Sequence, residues 1–152
     1  DLGAMLAPAH NRVLDVLCMS EVRYALQTQQ LQPLLGDKDM VVYLTANAGG
    51  DALYFTPYGI IASNYHREGA GLKDMFALEN AQNAFDAYRI LHARHVEAMF
   101  YCPGDYNAKA WIRTVTQTKK YPRWMVPVNA KFKFFDYKDV EFPKPMLFRV
   151  KP

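Results

Sequence analysis

Asp39-Met40-Val41-Val42-Tyr43-Leu44 is followed, two residues on, by Asn47-Ala48-Gly49-Gly50. A short unbroken apolar run, stopped by polar and glycine residues, is the pattern of a central strand covered on both faces, because a half-exposed strand alternates. Two more runs of this kind follow, Tyr58 to Ala62 and Val96 to Tyr101, with helical segments between them. Strands separated by helices are joined by crossovers, and crossovers make neighbouring strands parallel. The expected fold is therefore α/β: a mainly parallel, Rossmann-like central sheet flanked by helices.

Working outward, Ser20 is placed to cap a helix over Glu21 to Leu35, whose apolar face carries Val22, Leu26, Leu31, Leu34 and Leu35, with Pro33 and Gly36 near its end. Asn47 to Gly50 reads as a glycine turn and Asp51 to Phe55 as a short helix or turn. Ala77 to Ala93 reads as one helix, with Ala81, Ala84, Phe85, Tyr88, Leu91 and His92 close to three- and four-residue spacing. A further helix is expected over Asn107 to Thr118, ended by Pro122. From Trp124 the period becomes two: Phe132 and Phe134, then Met146, Phe148 and Val150, interleaved with Lys131, Lys133, Arg149 and Lys151. Antiparallel strands should close the domain. Residues 1–17 form a lead-in segment and residues 18–152 a single α/β domain, with no repeat, linker or low-complexity tract.

Composition agrees with this. The chain has 152 residues, 51% hydrophobic and 22% charged, with a formal net charge of +3. That length can bury roughly two-thirds of the unfolded surface without a structural metal. No apolar run approaches the roughly 18 residues of a membrane span, so a soluble polypeptide is expected. The modest charge gives no support for nucleic acid as a partner. Beginning at Asp1, the chain reads as a mature product or an excised domain. Cys18 and Cys102 exclude a CxxC motif or a cysteine-rich zinc site. They are either two buried thiols or a disulfide that would need an oxidising compartment.

The densest polar cluster, Ser63-Asn64-Tyr65-His66-Arg67-Glu68-Gly69-Ala70-Gly71, follows the second apolar run. Loops leaving the carboxyl ends of parallel strands are where open α/β sheets bind ligands. Three such loops would share one edge: Asn47 to Asp51, Asn64 to Gly71, and Pro103-Gly104-Asp105-Tyr106. Asn64, Tyr65, His66, Arg67, Asp51 and Asp105 are the candidate ligand-binding residues. His66 has acid–base capacity near neutral pH, Arg67 can grip a carboxylate or phosphate, and Asp51 or Asp105 can orient the imidazole. The plainer arrangement pairs Arg67 with Glu68 or Asp74 and packs His66 on Tyr65.

Other motifs are incomplete. Gly49-Gly50 belongs to neither GxGxxG nor GxxxxGK[ST], so no nucleotide cofactor is expected. His92 and His95 share a face at a helix end, where such side chains suit the last turn; no metal site is expected. No GxSxG serine is present, and no catalytic residue is assigned. The lysine–phenylalanine interleaving after Lys119 is read as a half-exposed sheet rather than a single-strand nucleic-acid surface.

In order along the chain come Cys18 opening a helix, Met40 to Leu44 with Gly49-Gly50 and Leu53-Tyr54-Phe55-Thr56, Ile60 to Ala62 leading into Tyr65-His66-Arg67 and Gly71, and His95-Val96. Then follow Tyr101-Cys102-Pro103-Gly104, Pro122-Arg123-Trp124 and Met146-Leu147-Phe148-Arg149-Val150. This series resembles the soluble C-terminal domain of bacterial multi-spanning inner-membrane proteins related to GT-C glycosyltransferases, from Cys18 to Val150. Glu68 departs from the asparagine usual after Tyr-His-Arg. The resemblance implies a periplasmic domain tethered to the inner membrane by its parent chain, non-catalytic alone because the catalytic acids of such enzymes lie in the membrane part. It implies the transmembrane part of the parent as partner, with a glycan or lipid-linked phosphate as ligand, and no cofactor. It also implies a Cys18–Cys102 disulfide. The competing expectations are a small independent enzyme using His66 as acid or base, and a purely structural cap.

Overall fold

The computed structural model describes residues 16–44, 48–61, 69–102, 110–133, 141–142 and 144–152. A five-stranded sheet has the order β2-β1-β3-β5-β4, with β1 Val41–Tyr43, β2 Gly59–Ile60, β3 Val96–Tyr101, β4 Met125–Pro127 and β5 Met146–Val150. β1 pairs in parallel with both β2 and β3, whereas β5 runs antiparallel to β3 and to β4. The mainly parallel centre and the antiparallel finish are both as the sequence implies.

Helix α1, described over residues 16–27, α2 Gln32–Leu35 and α3 Gly49–Phe55 supply buried residues to one core cluster. α4 Gly69–Glu79, α5 Ala84–Ala93 and α6 Ala110–Thr118 supply the other. Alternation along β3 divides the strand between the two. Met99 and Tyr101 join the α4–α6 cluster, while Ala98, Phe100 and Cys102 join the α1–α3 cluster. Val96 also belongs with α4–α6, out of step with Ala98, because the β1–β3 register shifts there and Glu97 is the extra, exposed residue. Such a bulge turns the following side chains over by one place.

Several expected elements are corrected. The helix expected over Glu21 to Leu35 is two helices, and Ser20 is not its cap. α1 is already under way at residue 16, and the Ser20 hydroxyl donates back to the Val16 carbonyl at 2.9 Å. Gln29 adopts φ 57°, which stops α1, and Pro33 then falls in the first turn of α2, where its missing N–H costs nothing. Gly36, with φ 95°, ends α2 in a conformation that a side chain would disfavour. Gly49 and Gly50 open α3 rather than forming a turn.

The helix expected over Ala77 to Ala93 is also two. Both the backbone N–H and the carboxamide of Asn80 donate to the Phe76 carbonyl, closing α4, and the Asn83 side chain caps α5 by accepting from the Asp86 N–H at 2.9 Å. Lys131 to Lys133 is not a strand. The Gln30 side chain satisfies both backbone groups of Lys133, donating to its carbonyl at 3.0 Å and accepting from its N–H at 2.7 Å, in place of a neighbouring strand. Phe134 lies outside the described residues.

Candidate functional site

Because β1 lies between β2 and β3 and all three are parallel, the chain leaves the sheet on both sides of β1 at one edge. That is a topological switch point, where open α/β sheets hold ligands. β1, β2 and β3 deliver the chain to this carboxyl edge at Leu44, Ile61 and Cys102. Asn64, Tyr65, His66, Arg67 and Asp105, the loop residues singled out in the sequence, lie outside the described residues.

Three features of this edge are described. Asp51 sits in the first turn of α3 and accepts at 2.6 Å from the Arg23 Nε of α1. Its carboxylate is therefore engaged by a guanidinium from another helix, a pairing across 28 residues that spacing does not reveal. Asp74, a conceivable partner for Arg67, is paired with Arg94. Second, Cys18 on α1 forms a disulfide with Cys102, immediately after β3, with their Cα atoms 5.9 Å apart. The covalent tie clips α1 onto the strand that leads into the Pro103-Gly104-Asp105 segment.

Third, Glu21 is only 1% exposed, the one buried charged side chain among the described residues. Sequence reasoning missed it, although a signal was present. Glu21 falls one residue before Val22 and one turn after Cys18, on a helix face otherwise filled by Ala25 and Leu26.

Beneath this edge, Tyr101 stacks on Phe148 at 5.8 Å and meets Tyr43 edge-on at 6.4 Å. Its hydroxyl is buried with no hydrogen-bond partner among the described residues. Burial, then the neighbouring Tyr43 and Tyr121 phenols, hold its pKa far above the ordinary 10.0, so it stays protonated. Tyr58 is also raised, by burial and then by Asp37, with Arg149 opposing; its hydroxyl donates to the Gly36 carbonyl at 2.6 Å.

The opposite, amino edge carries an open groove of about 610 Å³, whose apolar lining includes Met40, Val41, Val96 and Val150. Lys38, His92, His95, Glu97, Arg149 and Lys151 stand around it. The two histidines thus do face one groove. His92 comes from the last turn of α5, close to Tyr88 at 5.5 Å, and His95 from the left-handed turn before β3 at φ 56°. Among the described residues no group of three or more His, Cys, Asp or Glu is arranged to hold a metal ion. No helix among them is long and apolar enough to cross a membrane.

No family model and no curated protein matches this chain. Among solved structures its fold is similar to the crystal structure of the C-terminal globular domain of an oligosaccharyltransferase from Archaeoglobus fulgidus. The TM-score is 0.56 at 15% identity, covering 85% of this chain and 95% of that one. At that identity the likeness concerns the fold, and it takes in nearly the whole of the other domain.

Proposed function

We propose that this chain is an accessory, extracytoplasmic domain of a membrane-embedded glycosyltransferase-like protein, situated in a bacterial periplasm and without transfer activity of its own. The observation that carries the reading is the likeness to the C-terminal globular domain of an oligosaccharyltransferase, with 95% of that domain covered. The Cys18–Cys102 disulfide supports it, since such bonds persist in oxidising compartments. In this reading Asn64, Tyr65, His66, Arg67 and Asp105, which follow β2 and β3 in the sequence, supply the recognition surface. They would take a glycan or a lipid-linked phosphate head group, with the transmembrane part of the parent chain as physical partner. That Asp51 is engaged by Arg23 favours recognition over an Asp51–His66 acid–base pair.

The test uses the full reading frame. Expected is loss of sugar transfer to acceptor when residues 18–152 are deleted from the parent, with no transfer by the domain alone. Transfer by the isolated domain, or full activity in its absence, would overturn the proposal.

A further inference from the structure

We propose that a groove between the α1–α2 turn and the end of α3 is a binding site for a neutral pyranose sugar, with Tyr54 as the platform on which the sugar ring lies. The site shares no residue with the recognition surface of the accessory-domain reading and does not depend on it.

The groove has a volume of about 610 Å³, within the range of roughly 300–1,000 Å³ typical of small-molecule sites. Gln29 and Gln32 line it from the α1–α2 side, and Tyr54, Phe55 and Thr56 from the other. Tyr54 is 82% exposed, more than any other large hydrophobic side chain among the described residues. Its ring meets Phe55 at 72°, with centroids 4.7 Å apart, so that contact takes at most one face and leaves the other open. The Gln32 Nε2 donates to the Phe55 carbonyl at 3.1 Å, which ties α2 to the end of α3 and fixes the two walls before a ligand arrives. An exposed flat ring suits a ligand with a flat apolar face, which covers it at little ordering cost.

The polar groups select the rest of the ligand. Thr56 is committed within the protein, because its hydroxyl donates to the Ala52 carbonyl at 2.5 Å and accepts from the Tyr58 N–H at 3.2 Å. Gln29 and Asp37 are exposed in the lining, and neither side chain makes a hydrogen bond or ion pair among the described residues. A carboxamide offers donors and an acceptor and a carboxylate only acceptors, a set that sugar hydroxyls, each both donor and acceptor, can satisfy. No Lys, Arg or His lines the groove, so nothing in its lining draws an anion. The one carboxylate, Asp37, is open to solvent and screened, which gives a cation a weak hold. A pyranose uses both features, laying its C–H face on Tyr54 and turning its hydroxyls to Gln29 and Asp37.

The experiment titrates the 152-residue chain with methyl glucoside, methyl mannoside and methyl N-acetylglucosaminide. Glycerol, cyclohexanol, tetramethylammonium and a tetraproline peptide are separate arms. Binding is read from the NMR signals of the Tyr54 ring and the Gln29 carboxamide. Expected is saturable movement of both with at least one glycoside, about fivefold or more tighter than in any other arm. Tyr54→Ala should weaken that binding about tenfold with an unchanged melting temperature, since the side chain is exposed, whereas Tyr54→Phe should stay within about twofold of the wild type. Phe85→Ala, which removes an exposed ring on α5 outside the groove, should leave it unaltered. Signals that move with no glycoside, equal affinity for any of the other arms, or full binding by Tyr54→Ala would each overturn the proposal.

Discussion

The two faces of the sheet are held by different means. The face under α1, α2 and α3 is tied covalently: Cys18 from α1 is bonded to Cys102 at the end of β3, and around that bond pack Val22, Leu26, Val42 and Phe100. The face under α4, α5 and α6 has no such bond and depends on larger aromatic surfaces. There Tyr101 stacks on Phe148, Trp111 lies 6.1 Å from Trp124, and the Trp111 indole N–H donates to the Leu78 carbonyl at 2.9 Å, joining α6 to α4. One face restricts the unfolded chain, while the other relies on burial and packing in the folded one. That difference explains how a phenol can remain buried at Tyr101 with no partner among the described residues: the apolar area around it outweighs one unsatisfied hydroxyl.

The contrast is broken most severely through the disulfide. Replacing Cys18 and Cys102 together with serine removes a link spanning 84 residues and should cost about 4 kcal/mol in the chain-entropy account, read as a lowered urea midpoint. Thiol titration of the unreduced, denatured wild type should find no free thiol among these two. A loss under about 1 kcal/mol would mean that packing alone holds α1, and the two faces would not differ in kind.

Leu91→Ala tests the other face. Leu91 is fully buried on α5, and its truncation should cost about 3 kcal/mol, with the cavity it leaves contributing alongside lost burial. The same denaturation measurement applies. A cost near zero would show that the α4–α6 face repacks freely and does not depend on shape.

The smallest effect has the opposite sign. Tyr101→Phe removes the unpartnered hydroxyl while keeping the ring on Phe148, and should raise stability by about 1 kcal/mol near neutral pH. Its pH dependence sharpens the point. The Tyr101 pKa is raised in the folded state, so above pH 10.0 the unfolded chain releases a proton that the folded chain retains. Stability is therefore complete below about pH 10 and falls as pH rises beyond it. The phenylalanine variant should show a shallower decline. An unchanged slope would mean that Tyr101 ionises normally and is not sealed in the aromatic layer.

The legibility of this molecule follows the range of its interactions. Met40 to Leu44 and Val96 to Tyr101 announce their strands because continuous apolar runs have few alternatives in a sheet covered on both sides. The break between α4 and α5 was hidden, because Asn80 and Asn83 fall within a tolerable helical period and only their side-chain bonds reveal an end and a start. Lys131 to Lys133 misled in the reverse direction, since period two describes a strand only if a partner strand is present, and here Gln30 takes that place. At the candidate site, Asp51 was singled out as a candidate ligand-binding residue, whereas its bond to Arg23 and the burial of Glu21 depend on how α1 lies against the sheet.

By itself the sequence determined the α/β class, the parallel core strands and the antiparallel close. Local apolar patterning and turn chemistry act within a few residues and do not wait for the rest of the chain. Tertiary structure alone decided the strand order, which sets β1 between β2 and β3. It decided that Cys18 reaches Cys102, and that His92, His95, Arg149 and Lys151 border one groove. Those outcomes join residues tens of positions apart, and only packing of both faces against one sheet brings them together.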